Sequence, residues 1–209
     1  MFNLRNAKRF LALAVVALMG ETAFGQCTFF QPWTQNIASH SSRVRSCDQP
    51  TIVDFVAMDD FICREGGKMD RLRWWGVVFS REQALRGSYY IAIYKDNGNC
   101  EPGEQLYKAC VRPRVKLAGV DCTDNFVVQF DTALAAPFPV EPGVRYWLQI
   151  SEDDAASFRP GVEDFRWSGH QPIEGCEALQ IDAAGNIIRP LIDRCNERPS
   201  DLAFAFRAQ

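Results

Sequence analysis

Large apolar residues recur at every second position in several short stretches of the chain. Residues 126–130 (FVVQF) and 202–206 (LAFAF) show this alternation, which is typical of a β-strand with one face in a hydrophobic core. Residues 89–94 (YYIAIY) are apolar on both alternating faces, as expected for a central strand. The pattern therefore predicts short strands rather than long amphipathic helices.

Turn-forming residues separate the predicted strands. A helix-compatible stretch occurs around residues 80–85, and it is long enough for one or two turns only. Many short strands with polar turns, and no helices alternating with them, indicate an all-β fold built as an antiparallel β-sandwich. The turns, rich in Gly, Pro, Asn and Asp, are predicted at residues 65–67, 96–99, 101–103, 141–143 and 184–186.

The N-terminus has the pattern of a secretory signal peptide. Basic residues before position 10 precede an apolar run at residues 10–19, and small residues follow at positions 23 and 25. Residues 1–25 are therefore predicted to be removed, and the mature chain is expected to be secreted, either extracellular or periplasmic. No apolar run reaches the roughly 18 residues of a membrane span, so none is expected in the mature chain.

All eight cysteines follow the predicted cleavage site. An even number of cysteines in an exported chain predicts four disulfides. Loop closure costs least between near neighbours, which favours Cys27–Cys47 and Cys176–Cys195. No Cys-x-x-Cys pair or zinc-type Cys/His spacing is present. The cysteines are Cys27, Cys47, Cys63, Cys100, Cys110, Cys122, Cys176 and Cys195.

Three parts of the chain are predicted from these features. They are a signal peptide at residues 1–25, an N-terminal arm at 26–50, and a β-sandwich domain at 51–209 with a disulfide-bounded insertion near 176–195. The formal net charge of −3 provides no basic footprint for nucleic acid, so no nucleic-acid partner is expected.

A set of short motifs follows in one order along the chain. This combination resembles a family of exported bacterial β-sandwich domains of uncharacterised function, over about residues 53–167. The resemblance implies a jelly-roll-like sandwich and export, and it assigns no catalytic residue. The chain departs from that family in its extra cysteines and in residues 176–195. The motifs are DDF at 59–61, WWG at 74–76, a Tyr-x-Asp…Pro-Gly turn at 94–103 and YWLQI at 146–150.

Recognisable catalytic motifs are absent from the sequence. His40 and His170 fit no metal-binding helix, and His170 is expected in a surface turn. There is no Gly-x-Ser-x-Gly elbow and no Gly-rich phosphate loop. One enzyme class stays open, a carbohydrate-active hydrolase whose two carboxylates would face each other across a sugar cleft. Its loop candidates are Glu152, Asp153, Asp154, Glu163 and Asp164.

Aromatic residues are the better guide to function, because Trp and Tyr rings suit half-exposed recognition sites and can stack on sugar rings. In residues 145–150, Trp147 shares one face with Arg145 and Gln149, opposite the apolar face. If the polar face is solvated, Trp147 is a binding platform, and if it is covered, Trp147 belongs to the core. Trp75 is a second candidate. Two other tryptophans are expected in the core, Trp74 and Trp167.

Two acidic segments introduce calcium as the one candidate cofactor. One loop after a predicted strand offers several oxygen ligands, although its Asn-Gly pair also predicts a tight turn. Asp59 alternates with apolar residues and should point inward, where a carboxylate needs a partner. Arg71, Arg73 or a calcium ion would supply one. The loop residues are Asp96, Asn97, Asn99 and Glu101.

Taken together, these features predict an exported, disulfide-stapled β-sandwich without catalytic activity. Its expected role is recognition of a glycan or another surface polymer. The alternatives are a carbohydrate-active hydrolase that uses loop carboxylates, and a purely structural surface or matrix protein.

Overall fold

The computed structural model describes residues 27–35, 39–79, 81–156 and 165–207. The predicted signal peptide and two candidate carboxylates, Glu163 and Asp164, lie outside the described residues.

Almost all regular structure in this part of the chain is β. A short helix, α1 (Arg81–Arg86), coincides with the helix-compatible stretch of the sequence. The strands are β1 (Phe29–Gln31), β2 (Ser39–Ser41), β3 (Arg43–Val44), β4 (Phe55–Ile62), β5 (Gly67–Val77), β6 (Tyr89–Asp96), β7 (Pro102–Val111), β8 (Arg114–Val120), β9 (Phe126–Val140), β10 (Arg145–Asp153), β11 (Arg166–His170), β12 (Leu179–Asp182), β13 (Ile187–Ile188), β14 (Asp201–Leu202) and β15 (Phe204–Arg207).

The described strands form two sheets that pack face to face. Five strands of the larger sheet lie side by side in the order β8-β9-β5-β15-β1. β11 also pairs with β5, and β2 and β14 each pair with β11. The smaller sheet has the order β13-β12-β4-β10-β6-β7. Its remaining strand, β3, pairs with β10 in parallel, and the other ladders are antiparallel. The predicted all-β antiparallel sandwich is therefore confirmed.

The hydrophobic core lies between the sheets and is rich in aromatic rings. Trp74 and Trp167 are both fully buried in it, as predicted. The Trp74 ring stacks on Phe130, with centroids 5.1 Å apart and an interplanar angle of 9°. Gly76, the last residue of the WWG motif, lies under the ring of Phe165. A Cβ at this position would lie 2.2 Å from that ring, so the close approach requires glycine.

The outer face of the smaller sheet is covered by a second apolar layer. Val44, Ile52 and Ile181 pack there, on a buried cluster that contains Tyr90 and Trp147. Because the main core covers the opposite face, β6 is buried on both sides, as its continuous apolar run predicted.

Four disulfides are present, and neither of the two preferred pairings occurs. The prediction of Cys27–Cys47 and Cys176–Cys195 was wrong because the packing of distant segments, not loop length, brings the cysteines together. Sequence separations run from 36 to 76 residues, while paired Cα atoms lie 5.4 to 6.2 Å apart. The pairs are Cys27–Cys63, Cys47–Cys110, Cys100–Cys176 and Cys122–Cys195.

The segments predicted to be an N-terminal arm and a disulfide-bounded insertion both contribute strands to the sandwich. Residues 27–50 are held by two disulfides and add β1, β2 and β3 to the sheets. Residues 176–195 are not closed by a disulfide of their own. They supply β12, which pairs with β4, and β13 at the sheet edge.

The four disulfides indicate that the chain folds in an oxidising compartment. Within the described residues, no helix combines the length and the apolar character needed to cross a bilayer.

Candidate functional site

The surface predicted around Trp147 is not exposed to solvent. Trp147 is 0 % exposed, and its Nε1–H donates to Asp96 Oδ1 at 2.8 Å. Gln149 is also buried, and its Oε1 accepts a hydrogen bond from the Tyr94 hydroxyl at 2.7 Å. The prediction of Trp147 as an exposed platform was therefore wrong, and with it the prediction of Gln149 as a ligand-binding residue.

Chain segments distant in sequence cover this face of β10. Residues 44–52, at the end of the arm and just beyond it, and the segment around Cys176 both cross it. Two disulfides, Cys47–Cys110 and Cys100–Cys176, fasten them there. The polar residues of the face, which suggested a solvated surface, instead hydrogen-bond within the protein.

Arg145 is engaged by a buried carboxylate rather than presented to a ligand. Its guanidinium forms an ion pair with Asp60, whose side chain is 2 % exposed. Asp60 Oδ1 also accepts the backbone N–H of Cys176 at 2.7 Å. Burial raises the pKa of Asp60 to about 6, although Arg145 acts in the opposite direction. Asp60 and Arg145 thus hold the 174–178 segment against the sheet.

Asp59 points inward, as the alternation predicted, but its partners differ from those expected. Gln31 Nε2 and the backbone N–H of Leu202 both donate to its Oδ2, at 2.9 and 2.7 Å. Burial, with Asp201 nearby, raises the pKa of Asp59. Asp201 accepts backbone N–H groups of the 174–178 segment, and burial raises its pKa to about 7. Arg73, one of the partners expected for Asp59, pairs with Asp131 instead.

The loop proposed for calcium forms a closed set of hydrogen bonds. Asp96 Oδ2 accepts the backbone N–H of Gly98, and Asn97 Oδ1 accepts that of Asn99, both at 2.8 Å. Glu101 pairs with the Arg189 guanidinium at 2.5 Å. These oxygens already have donors, and a cation beside Arg189 would be repelled. The geometry is that of the tight turn and gives the calcium prediction no support.

Metal donors come together at one other place in the described residues. Cys122, Asp193 and Cys195 have their donor atoms within 4.8 Å of one another. The two cysteines are joined in a disulfide, which removes their thiolates as ligands. This group is therefore not a suitable metal centre.

Three of the loop carboxylates considered for hydrolysis lie in the described residues, and these three do not form a pair across a cleft. Glu152 is fully buried and accepts Gln83 Nε2 at 2.9 Å and the backbone N–H of Phe165 at 2.8 Å. Burial raises the pKa of Glu152 to about 7. Asp153 is buried and accepts the backbone N–H of Ala156, and Asp154 lies beside Arg43. These groups hold the chain in place.

His170 was expected in a surface turn, but it lies at the end of β11. It is 8 % exposed, and its Nδ1 lies 2.6 Å from the carbonyl oxygen of Pro32. Burial lowers the pKa of His170, which favours the neutral ring.

Two larger cavities open at the sandwich edges. The first, about 560 Å³, lies beside the Cys27–Cys63 disulfide and is lined by Asp60, Glu65 and Glu174 among others. The second, about 480 Å³, is mostly apolar, and its lining includes Lys116 and the exposed Leu117 and Phe126. The second cavity offers few hydrogen-bonding groups, so it does not suit a polyhydroxylated ligand.

The outer face of the larger sheet carries an aromatic ridge that includes Trp75. The Phe30 ring meets Trp75 edge-on, with centroids 6.3 Å apart, and is 57 % exposed. Trp33 is half-buried and packs against the buried cluster that contains Trp75. A Cβ on Gly119 would lie 3.0 Å from the Trp33 ring, so this ring lies directly on β8. We call Phe30, Trp33 and Trp75 the aromatic ridge.

A row of fixed polar groups lies next to the aromatic ridge. Arg73 Nε and Gln129 Nε2 both donate to the Asp131 carboxylate, at 2.6 Å each. Side-chain exposure is 21 % for Arg73 and 38 % for Asp131, so their remaining polar atoms are accessible. We call Arg73, Gln129 and Asp131 the polar row, and the ridge and row together the outer platform.

Strand register explains why the ridge and the row adjoin. Trp75 lies opposite Gln129, and Arg73 lies opposite Asp131. Across the other edge of β5, Arg73 lies opposite Ala205, which in turn faces Phe30. The outer platform therefore crosses five strands, β1, β15, β5, β9 and β8. At about 4.8 Å per strand spacing, its width is roughly 19 Å.

Of the four ligand-binding residues predicted from the sequence, only Trp75 lies on this platform, and it is 5 % exposed because the other ridge residues cover it. Sequence reasoning missed Phe30, Trp33 and the polar row. The dense aromatic segment at residues 29–33 was a signal for the ridge. The polar residues at alternate positions of β9, Gln129 and Asp131, were a signal for the row.

Residues 31–207 match the model of a family described as Domain of unknown function (DUF7901). The match spans most of the chain, so the chain belongs to this family. No curated protein gives a match, and no solved structure does either. Because the family description names no activity, the case for function rests on the geometry of the site.

Proposed function

We propose that this chain is an exported, non-catalytic recognition module that binds a glycan or another surface polymer through the outer platform. The observation that supports the proposal is that an aromatic ridge and a row of mutually fixed planar polar groups occupy neighbouring positions on one sheet face. Flat rings of a polymer can stack on the ridge, and their hydroxyl groups can hydrogen-bond to the row.

The polar row supports this proposal because its side chains are already oriented. Asp131 fixes both Arg73 and Gln129, so little side-chain entropy is lost when a ligand binds. The ring surface of Phe30 is exposed in the free protein, so its contact with a ligand would remove apolar area from water. All platform residues except Trp33 lie on strands of the sheet, and residues on strands form a more rigid site than residues on loops.

Export is part of the proposal. It is supported by the signal-like pattern at residues 1–25 and by the disulfides, which form in oxidising compartments. Extracellular and periplasmic locations both suit a module that binds surface polymers.

Affinity electrophoresis tests the proposal. The full chain is run through gels that contain dextran, arabinoxylan, mixed-linkage β-glucan or polygalacturonate, one polymer per gel. At least one polymer should retard the wild-type chain. Phe30→Ala and Trp33→Ala should reduce that retardation by about fivefold or more, because stacking contacts to aromatic rings are worth about 1 kcal/mol or more.

Phe126→Ala is the matched control, because Phe126 is 60 % exposed but lies on the opposite face of β9 from Gln129 and Asp131. It should leave retardation unchanged. Failure of every polymer to retard the wild-type chain would contradict the proposal. Equal losses for Phe126→Ala and Phe30→Ala would also contradict it, because the binding would then be non-specific.

The hydrolase alternative has one observation in its favour. Asp60 lines the 560 Å³ cavity together with Glu65 and Glu174, and its pKa is raised to about 6. Both Asp60 oxygens are already bound, however, by Arg145 and the backbone N–H of Cys176. Release of reducing sugar from the polymers above, lost in Glu174→Gln, would favour this alternative over the binding module.

A further inference from the structure

The outer platform continues onto the edge strand β8, where its character becomes basic. Arg114 lies opposite Asp131, and Lys116 lies opposite Gln129. Both basic residues are exposed. Together with Arg73, they place three cations beside one carboxylate in adjacent cross-strand positions. The surplus of positive charge contrasts with the formal net charge of −3 for the whole chain.

The two basic residues of β8 are available to a ligand. In the described part of the chain, the Asp131 carboxylate is paired with Arg73 at 2.6 Å, and no ion pair is formed by Arg114 or Lys116. Their side chains are exposed, and among the described strands β8 pairs only with β9.

We propose that the polymer bound by the outer platform is an acidic polysaccharide, one that carries carboxylate or sulfate groups on its sugar rings. This inference rests on the proposed function. The rings would stack on the aromatic ridge while the acidic groups approach Arg114 and Lys116. The width of the platform, roughly 19 Å across five strands, suits several consecutive sugar rings rather than a single one.

Position on the sheet is what separates this arrangement from general surface charge. The basic residues lie on the same face as Trp75, in register, with Gln129 and Asp131 on the strand between them. A ligand with both flat rings and negative charge uses all three groups at once. A neutral polysaccharide would leave the two cations of β8 without partners, and a structureless polyanion would leave the ridge unused.

The test compares polygalacturonate with dextran, a neutral polymer, by isothermal titration of the full chain at low and at physiological ionic strength. Polygalacturonate should bind more tightly, and its affinity should fall as salt rises, because salt screens exposed charges. Arg114→Gln/Lys116→Gln should weaken polygalacturonate binding by about five- to tenfold at low salt, given the modest strength of exposed ionic contacts. Its effect on dextran should be negligible.

The matched control is Lys95→Gln/Lys108→Gln. It removes the same charge from exposed residues of β6 and β7 on the smaller sheet. This variant should bind polygalacturonate like the wild type. An equal loss in both double variants would overturn the inference, because the attraction would then come from overall charge.

Other outcomes separate this inference from the proposed function. Dextran bound as tightly as polygalacturonate would refute the acidic ligand but leave polymer recognition intact. No binding of either polymer, nor of those in the gels, would refute both. Binding of polyuridylate as tight as that of polygalacturonate, and unaffected by Phe30→Ala, would identify a general polyanion surface and overturn the inference.

Discussion

Replacement of Trp147 by alanine should lower the free energy of unfolding and leave polymer binding by the outer platform unchanged. Trp147 is fully buried between β10 and the segments fastened across it by disulfides. Removal of a buried Trp side chain costs about 3–5 kcal/mol, since the lost transfer free energy and the cavity left behind add together. The lost hydrogen bond to Asp96 adds about 1 kcal/mol at most, because Asp96 is half-exposed and can bind water instead.

Urea unfolding followed by far-UV circular dichroism at 25 °C measures this loss directly. For a chain of this size, 3–5 kcal/mol corresponds to a fall in melting temperature of about 6–20 °C. Trp147→Phe keeps an aromatic ring in the layer and should lose clearly less stability than Trp147→Ala. Leu106→Ala is the control on the same sheet, where Leu106 is 42 % exposed, and should change stability by less than about 0.5 kcal/mol.

A loss below about 1 kcal/mol for Trp147→Ala, with an unchanged urea dependence, would refute the buried placement of this face. Polymer binding by Trp147→Ala at a temperature where it is fully folded should equal that of the wild type. The opposite pattern, lost binding with unchanged stability, would restore Trp147 as a recognition residue.

Two further predictions concern the disulfides and a buried acid. Alkylation of the unreduced, denatured chain should add no label to the intact mass. Peptide mapping should recover the pairs Cys27–Cys63, Cys47–Cys110, Cys100–Cys176 and Cys122–Cys195. A peptide that links Cys176 to Cys195 would contradict the fold. Burial raises the pKa of Glu152 from 4.5 to about 7, so folding favours its protonated form, and this stabilisation is complete below pH 4.5 and lost as the pH rises through 7. Parallel urea titrations of the wild type and Glu152→Gln measure this effect. Across this pH range, the free energy of unfolding of the wild type should fall by about 3 kcal/mol relative to that of Glu152→Gln. Equal pH profiles for the two proteins would show that the pKa of Glu152 is not raised.

The sequence by itself determined the class of fold and the two faces of the strands that it predicted. Alternation in residues 126–130 and 202–206 placed Val128, Phe130, Phe204 and Phe206 in the core, where they lie, whereas Phe126 at the start of the first run is 60 % exposed. The continuous apolar run of residues 89–94 indicated a strand covered on both sides. These features are local, because successive side chains of a strand point to opposite faces whatever the rest of the chain does.

Which outer face is covered and which is open was decided only by the tertiary structure. Trp147 and Trp75 both lie on outer faces, and the polar neighbours of Trp147 favoured it as the exposed residue. Cys100 and Cys176 instead carry a distant segment over Trp147, across a sequence separation of 76 residues. The residues beside Trp75 come from β9 and from the arm, far from it in sequence.

The disulfide pairs and the carboxylate partners were also beyond the reach of the sequence. Loop length favoured neighbouring cysteines, and charge favoured an arginine for Asp59, yet Gln31 and the backbone of Leu202 are its partners. Alternation fixes where a side chain points, but burial and pairing depend on which distant segment packs against it. That choice is made by the order of strands in the two sheets, and no local pattern encodes it.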